Sequence, residues 1–120
     1  MARHNELGKW GEQVAREHLL SLGYAISHEN EQIGRVEVDF IARKDNRLIF
    51  VEVKTRTNGY VDPCQSVDAE KQRRLMRAAD IFMSRIETDV PLEPQFDLIF
   101  IIGTPDAGYT IEHIPDAFYP

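Results

Sequence analysis

The sequence predicts an α/β protein with a central mixed sheet flanked by helices, and three observations lead to this fold class. An amphipathic helix pattern lies near the start of the chain, and two alternating, β-branched segments joined by a short turn follow it. A second helix pattern then precedes a strongly apolar run. The 120 residues suffice for one domain, residues 1–120, and are too few for two.

The first helix is predicted over residues 5–22, where apolar side chains recur every three or four positions and form one stripe. The stripe consists of Leu7, Trp10, Val14, Ala15, His18, Leu19 and Leu22. Gly23 follows at a position where glycine commonly ends a helix. Residues 24–31 are predicted to form the first strand.

The next two strands are predicted at residues 36–43 and 47–54, which are rich in β-branched side chains and alternate in polarity. Asp45 and Asn46 tolerate positive φ angles, so the segment between the strands is expected to be a tight hairpin turn.

A second helix is predicted over residues 68–87, with Asp68 as its N-cap. The run at 96–102 is almost entirely apolar, as expected of a strand buried on both faces, and a last strand is predicted at 109–114. The connection from 47–54 through the helix to 96–102 is expected to be a parallel, right-handed crossover.

The formal net charge of −6 by itself disfavours a polyanionic partner. Its distribution gives a different indication, because residues 35–85 contain 11 Lys and Arg against 8 Asp and Glu. Residues 86–120 contain 7 acidic side chains and no Lys or Arg. This asymmetry is compatible with nucleic acid bound to one face and equally with a solvated, mixed-charge surface.

Cys64 is the only cysteine, so an internal disulfide is excluded and a zinc cluster of Cys and His is not expected. The sequence shows no signal-peptide pattern and no run of roughly 18 apolar residues. We therefore expect a cytoplasmic protein without a membrane segment.

Four ionisable side chains are expected to converge on the hairpin. With a two-residue turn, the strand register places Asp39 opposite Glu52 and Glu37 opposite Lys54, with paired Cβ atoms about 5 Å apart on the same face. Opposed carboxylates repel each other, and a divalent cation such as Mg²⁺ removes that cost because it binds carboxylate oxygens. The alternative is an exposed Glu37–Lys54 salt bridge beside a solvated Asp39 and Glu52.

Glu37-Val38-Asp39, followed by Glu52-Val53-Lys54, resembles the Asp…Glu-x-Lys signature of the restriction-endonuclease-like nucleases, and within them the YraN-like family. The resemblance extends over GKWGEQVAREHLLSLGY, VEVDFIARKDNRLIFVEVKTRT, SVDAEKQRRLMRAA and FDLIFI. It implies a restriction-endonuclease-like αβββαβ core and a likeness to archaeal Holliday-junction resolvases. Val38 stands where the superfamily often has proline.

This resemblance implies roles for individual residues. Asp39 and Glu52 match the metal-binding carboxylates, and Lys54 matches the catalytic lysine, with Mg²⁺ or Mn²⁺ as the cofactor. Resolvase-like members place a glutamate of the first helix near the metal, which makes Glu12 a fourth catalytic candidate. From its helical position alone, Glu12 is equally a surface glutamate.

Three basic residues are candidates for nucleic-acid binding. Lys71 and Arg74 lie three positions apart in the second helix and share a face, and Arg56 continues the strand that carries Lys54. Such side chains bind phosphates. The alternative for Lys71 and Arg74 is an ordinary solvated helix face.

Two functions are consistent with these sites. The first is a Mg²⁺-dependent endonuclease that hydrolyses structured or branched DNA, where symmetric junction cleavage would favour a homodimer. The second is a nucleic-acid-binding module that does not cleave and is a partner of a DNA repair or recombination assembly. The intact set of Asp39, Glu52 and Lys54 favours the first, whereas the acidic net charge leaves room for the second.

Overall fold

Two helices and five strands make up the regular structure of the described residues. The computed structural model describes residues 2–57, 67–88 and 90–118, so Cys64 lies outside the described residues. In chain order the elements are α1 (Ala2–Ser21), β1 (Ala25–Ile33), β2 (Val36–Lys44), β3 (Arg47–Arg56), α2 (Ala69–Arg85), β4 (Glu93–Thr104) and β5 (Gly108–Phe118). This order confirms the predicted α/β class and the predicted succession of a helix, three strands, a helix and two strands.

The five strands form one mixed sheet in which the spatial order is the same as the order along the chain. Neighbouring strands are antiparallel except for β3 and β4, which are parallel because the chain returns through α2 before it enters β4. The predicted parallel connection is therefore confirmed. It places β3 and β4 inside the sheet, which explains their long apolar runs.

Each helix packs on one face of the sheet and defines one hydrophobic cluster. The α1-side cluster contains Val14, Ala15, Leu19, Tyr24, Phe40, Ala42, Ile49, Val51, Ile99 and Ile101. The α2-side cluster includes Val38, Ile41, Leu48, Phe50, Leu75, Ala78, Ala79, Phe82, Phe96, Leu98 and Phe100. Consecutive β3 residues such as Ile49 and Phe50 belong to opposite clusters, as the alternation of side chains along a strand requires.

Local capping and turn residues behave as their chemistry predicts. The Asp68 carboxylate accepts a hydrogen bond from the Lys71 backbone N–H at 2.9 Å and caps α2. In the hairpin, Lys44 pairs with Arg47 across a two-residue turn, and Asp45 adopts a φ of 54°. Among the described residues, no helix is long and apolar enough to span a membrane.

The strands β2 and β3 have the predicted register, but they separate at one end, one pair short of the predicted Asp39–Glu52 couple. Their pairing ends at Phe40 and Val51, so Asp39 and Glu52 are not a directly paired couple in the ladder. The physical reason is a competing acceptor, because the Val53 backbone N–H donates to the Asp39 carboxylate at 2.7 Å. We refer to the space between Asp39 and Glu52 as the gap.

Side-chain alternation along β2 changes at the gap. Val38 and Ile41 belong to the α2-side cluster, whereas Phe40 and Ala42 belong to the α1-side cluster. Regular alternation would place Val38 with Phe40. Asp39 thus lies at the irregular position of its strand, where residues from both faces of the sheet can approach it.

Candidate active site

Asp39 is surrounded by other carboxylates at the gap. Burial and the nearby Glu52 carboxylate raise the pKa of Asp39 from 3.8 to about 7, although the hydrogen bond from the Val53 N–H opposes this change. Glu12 and Glu37 raise the same pKa further by smaller amounts. The electrostatics of Asp39 therefore favour either a bound proton or a cation in its place.

Glu52 has one compensated and one uncompensated oxygen. The residue is 8% exposed, and its Oε1 lies 3.3 Å from Lys71 Nζ and 3.8 Å from Lys54 Nζ. Its Oε2 is buried and accepts no hydrogen bond from any described residue. An acceptor buried without a partner is costly, and a ligand with positive charge removes this cost.

Lys54 and Lys71 converge on the same carboxylate oxygen and influence each other. Burial and the contact with Lys71 lower the pKa of Lys54, although Glu52 opposes the change. Burial also lowers the pKa of Lys71, but the Lys54 amine and the Glu52 carboxylate outweigh burial, and the net pKa is raised. Of the two, Lys54 is therefore the weaker base.

Glu12 approaches from α1, on the opposite face of the sheet from α2. Burial and the Glu37 carboxylate raise the pKa of Glu12, with a smaller contribution from Glu52. The helix lies close to β3 at this point because Gly11 has no side chain, and a Cβ there would lie 2.0 Å from Thr55 Oγ1. The close contact between Gly11 and Thr55 thus fixes the distance of Glu12 from the sheet.

A cavity of about 660 Å³ lies between the first half of α1 and the end of β3. Glu12 and Lys54 both line it, together with the basic and hydroxyl side chains of Lys9, Thr55, Arg56 and Thr57. Arg56 is exposed and donates to the Thr55 backbone oxygen at 3.0 Å. The structure therefore places Arg56 in the same cavity as two of the predicted catalytic side chains.

Other predicted residues have different surroundings from those expected. Lys71 is directed to Glu52, whereas Arg74 is exposed and pairs with Glu70 one turn earlier, so the two do not form one solvated basic face. Glu37 is exposed, and among the described residues Lys54 pairs with Glu52 and not with Glu37. The alternative of a Glu37–Lys54 salt bridge is therefore not what the structure shows.

Comparison with known proteins identifies the family of this chain. Residues 11–101 match the family described as "Uncharacterised protein family UPF0102". The chain belongs to the UPF0102 family. This confirms the YraN-like membership that the sequence motifs implied.

Similar UPF0102 proteins cover almost the whole chain. A UPF0102 protein of Bacteroides thetaiotaomicron is 46% identical over 121 residues, which is 100% of this chain and 98% of the relative. A UPF0102 protein of Phocaeicola vulgatus is 42% identical with the same coverage of 100% and 98%. One from Christiangramia forsetii is 43% identical over 99% of this chain and 98% of the relative.

A second buried carboxylate of this UPF0102 protein, which the sequence patterns did not single out, lies on β4. Asp97 is 1% exposed and accepts hydrogen bonds from the Tyr24 hydroxyl at 2.8 Å and from His113 Nε2 at 2.7 Å. Gln95 Nε2 at 2.8 Å and the Asp116 backbone N–H at 3.0 Å complete the set. Sequence analysis could have found this carboxylate, because Asp97 is a charged residue within the apolar run 96–102.

The hydrogen bonds around Asp97 continue outward to α1. Burial alone would raise the pKa of Asp97, but the bonds from His113 and its other donors lower it below 3.8. His113 Nε2 donates to the carboxylate, so in neutral His113 the Nδ1 accepts from His18 Nε2 at 3.0 Å. Burial and the neighbouring His113 lower the pKa of His18.

The donors at the gap determine which metal this UPF0102 protein could hold. Within residues 2–57, 67–88 and 90–118, no three His, Cys, Asp or Glu side chains are grouped closely enough to be a metal cluster. Asp39 and Glu52 supply two carboxylates, and proteins commonly hold Mg²⁺ by one or two carboxylates with waters and phosphate oxygens. Glu52 Oε2, which has no partner in the described part of the chain, fits such a hard cation.

Proposed function

We propose that this UPF0102 protein is a Mg²⁺-dependent endonuclease that hydrolyses phosphodiester bonds in structured or branched DNA. The observation that carries the proposal is the buried Oε2 of Glu52, which has no hydrogen-bond partner among the described residues, beside Asp39, where the pKa is raised to about 7. A hard divalent cation stabilises both groups at once. The resemblance to restriction-endonuclease-like nucleases and to archaeal Holliday-junction resolvases supports the same reaction.

The side chains at the gap have distinct roles in this proposal. Asp39 and Glu52 would hold Mg²⁺ or Mn²⁺, which when bound would withdraw electron density from the scissile phosphate. Lys54, 3.8 Å from Glu52 Oε1, would orient the attacking water or offset charge on the phosphate. Lys71 holds the compensated oxygen of Glu52 at 3.3 Å, and Glu12 offers a further acceptor for water.

The cavity beside the gap provides the approach for the substrate. Lys9 and Arg56 supply positive charge there, and the hydroxyls of Thr55 and Thr57 supply hydrogen-bond donors for phosphate oxygens. Cleavage of a two-fold symmetric junction needs two equivalent sites, so a homodimer that acts on DNA in the cytoplasm is part of the proposal.

A nuclease assay on junction, flap, single-stranded and duplex DNA with Mg²⁺ and with Mn²⁺ tests the proposal. Asp39→Asn and Glu52→Gln should each lower cleavage by about 10²-fold or more, since each removes a charge that acts on the reacting groups. DNA binding should persist or tighten, because repulsion toward phosphate decreases. Lys54→Ala should retain Mn²⁺ binding by calorimetry and slow the single-turnover rate.

The matched control for these variants is Glu87→Gln, which removes one exposed carboxylate just after α2 and should leave cleavage unchanged. A wild-type protein that binds DNA and cuts none of the four substrates with either metal would refute the endonuclease.

A non-cleaving nucleic-acid-binding module is the second candidate function, and one contact favours it. Glu52 Oε1 already has two ammonium groups, Lys71 and Lys54, within 3.8 Å, which compensate part of its charge without a metal. Such a module would bind DNA equally well with and without Mn²⁺. Calorimetric titration of the wild type with Mn²⁺ separates the two functions, because only the endonuclease requires a metal bound at Asp39 and Glu52.

A further inference from the structure

A second concave surface lies on the α2 side of the sheet, between the β1–β2 turn and α2. It encloses about 520 Å³, which is within the range of about 300–1,000 Å³ typical of small-ligand sites. Arg35 of the turn and Arg74 and Arg77 of α2 line it, and we refer to it as the arginine groove.

The arginines of this groove come from two separate elements and face one space. Arg74 also pairs with Glu70, whereas Arg35 and Arg77 are exposed and form no ion pair with another described residue. A guanidinium group binds phosphate through two parallel hydrogen bonds and also stacks on the faces of planar rings. The groove is therefore suited to a ligand that carries both phosphates and rings.

The floor of the arginine groove is apolar. Ile33 and Ala78 are buried, and Val36 and Ile81 are half-buried, with all four side chains lining the same space. A DNA duplex directs its phosphates and sugars outward and keeps its base faces stacked inside. An unpaired strand exposes its base faces, which gain free energy from contact with apolar and guanidinium surfaces. The floor therefore favours an unpaired strand over a duplex.

Two elements, α2 and β2, each extend from the arginine groove to the gap. Lys71, which contacts Glu52, lies six residues before Arg77 on α2, or about 9 Å along a helix axis. Val36 of the groove lies three residues before Asp39 on β2, or about 10 Å along a strand. Both paths therefore put the groove about 10 Å from the gap.

We propose that the arginine groove binds an unpaired DNA strand about 10 Å away from the scissile phosphate. Arg35 and Arg77 bind its phosphates, and Val36 and Ile81 contact its bases. The position relative to the scissile phosphate rests on the proposed endonuclease, whereas the binding of the strand does not. The substrate class is DNA with a single-stranded arm, such as a flap or a tailed duplex.

Fluorescence anisotropy on the 120-residue chain without metal compares a blunt duplex with the same duplex carrying a single-stranded tail. The wild type should bind the tailed DNA about tenfold more tightly, because stacking of one base contributes enough for that factor. Arg35→Gln/Arg77→Gln should bring the ratio to about one and reduce the salt slope for tailed DNA by about 1.4, or 0.7 for each lost phosphate contact.

Two further variants distinguish specific binding in the arginine groove from a general effect of positive charge on DNA binding. Arg43→Gln/Arg85→Gln removes the same two charges from exposed positions outside the groove, and it should keep the preference for tailed DNA. Ile81→Ala should reduce the preference and leave the salt slope unchanged, because it alters base contact alone. Equal wild-type affinity for both DNAs would refute the groove, as would an equal loss in the control pair.

The outcome for the groove is distinguishable from the outcome for the nuclease. A tail preference that depends on Arg35 and Arg77, with no cleavage under either metal, supports the groove and refutes the endonuclease. Cleavage that depends on Glu52, with no tail preference, supports the endonuclease and refutes the groove.

Discussion

Two carboxylate centres on the sheet differ in how their charge is compensated. Asp97 accepts four hydrogen bonds, and its pKa is lowered in spite of nearly complete burial. At the gap, Asp39 receives one hydrogen bond from the Val53 N–H, and its pKa is raised to about 7. Glu52 beside it has an oxygen with no partner among the described residues.

The difference separates a carboxylate whose charge is satisfied by hydrogen bonds from a carboxylate pair whose charge is not. A buried carboxylate that is saturated with donors needs nothing further, and here it joins β4 to β5 and, through Tyr24, to the segment that follows α1. A carboxylate pair with mutual repulsion and an unused acceptor costs stability as it stands. Such a cost is common where a protein binds a ligand, because the ligand relieves it.

The largest effect is expected at Asp97. Asp97→Asn keeps the shape but replaces one acceptor oxygen by an NH₂ group that faces existing donors, so the free energy of unfolding should fall by about 3–5 kcal/mol. Urea denaturation at neutral pH measures this change. Asp106→Asn, in the exposed turn before β5, is the matched control and should change stability by less than about 0.5 kcal/mol. A loss at Asp97 as small as the control would show that its hydrogen bonds are not structural.

A smaller effect is expected at Asp39 without metal, where the ionised carboxylate lowers the free energy of unfolding instead of raising it. Its folded-state pKa of about 7 lies above the ordinary 3.8, so the folded protein holds a proton that the unfolded chain releases. Stability should therefore fall as pH rises from about 4 to about 7, by on the order of 3 kcal/mol. Asp39→Asn should remove this fall, as chemical denaturation across that pH range would show.

Two further measurements sharpen the contrast between the two centres. Mg²⁺ should restore stability at pH 8 in the wild type and not in Asp39→Asn, by about 2.7 kcal/mol at a concentration 100 times its Kd. The lowered pKa of Asp97 gives stability the reverse dependence on pH. The stabilisation by Asp97 is present above pH 3.8 and is lost as the pH falls through the lower pKa of the folded state. A wild type whose stability is flat between pH 4 and 7 would contradict the assignment of the gap as a strained site.

The smallest effect concerns α1, which carries Glu12 to the gap and His18 to the Asp97 centre. Gly11→Ala should destabilise the protein by about 1–3 kcal/mol, because its Cβ would overlap Thr55 Oγ1. Thr55→Ala should recover part of this loss in a double-mutant cycle measured by thermal unfolding.

Gly8→Ala is the matched control for this helix. Nothing lies within 4 Å of a Cβ at Gly8, so the change should stabilise the protein by about 0.5–1 kcal/mol through helix propensity. Equal destabilisation by both substitutions would show that the Gly11 contact with β3 is not specific.

The local features of this fold were predictable from sequence because short-range chemistry determines them. The turn at Asp45 and the cap at Asp68 involve neighbouring residues, and both were predicted correctly. The register of the hairpin was also predicted correctly, but its ladder ends before Asp39 and Glu52, because an alternation rule does not include a side chain that competes for a backbone N–H. The contact between Lys71 and Glu52 joins the crossover helix α2 to β3, and helical periodicity carries no information about it.

The two-residue turn between β2 and β3 also bears on the order of folding. A hairpin of this kind forms locally within about 1–10 μs, whereas β3 and β4 can pair only after the chain has crossed over through α2. The hairpin therefore brings Asp39 and Glu52 together before α2 delivers Lys71. The carboxylates therefore meet early, and Lys71 reaches Glu52 Oε1 only when α2 docks, so completion of the gap is tied to the final docking of the helix.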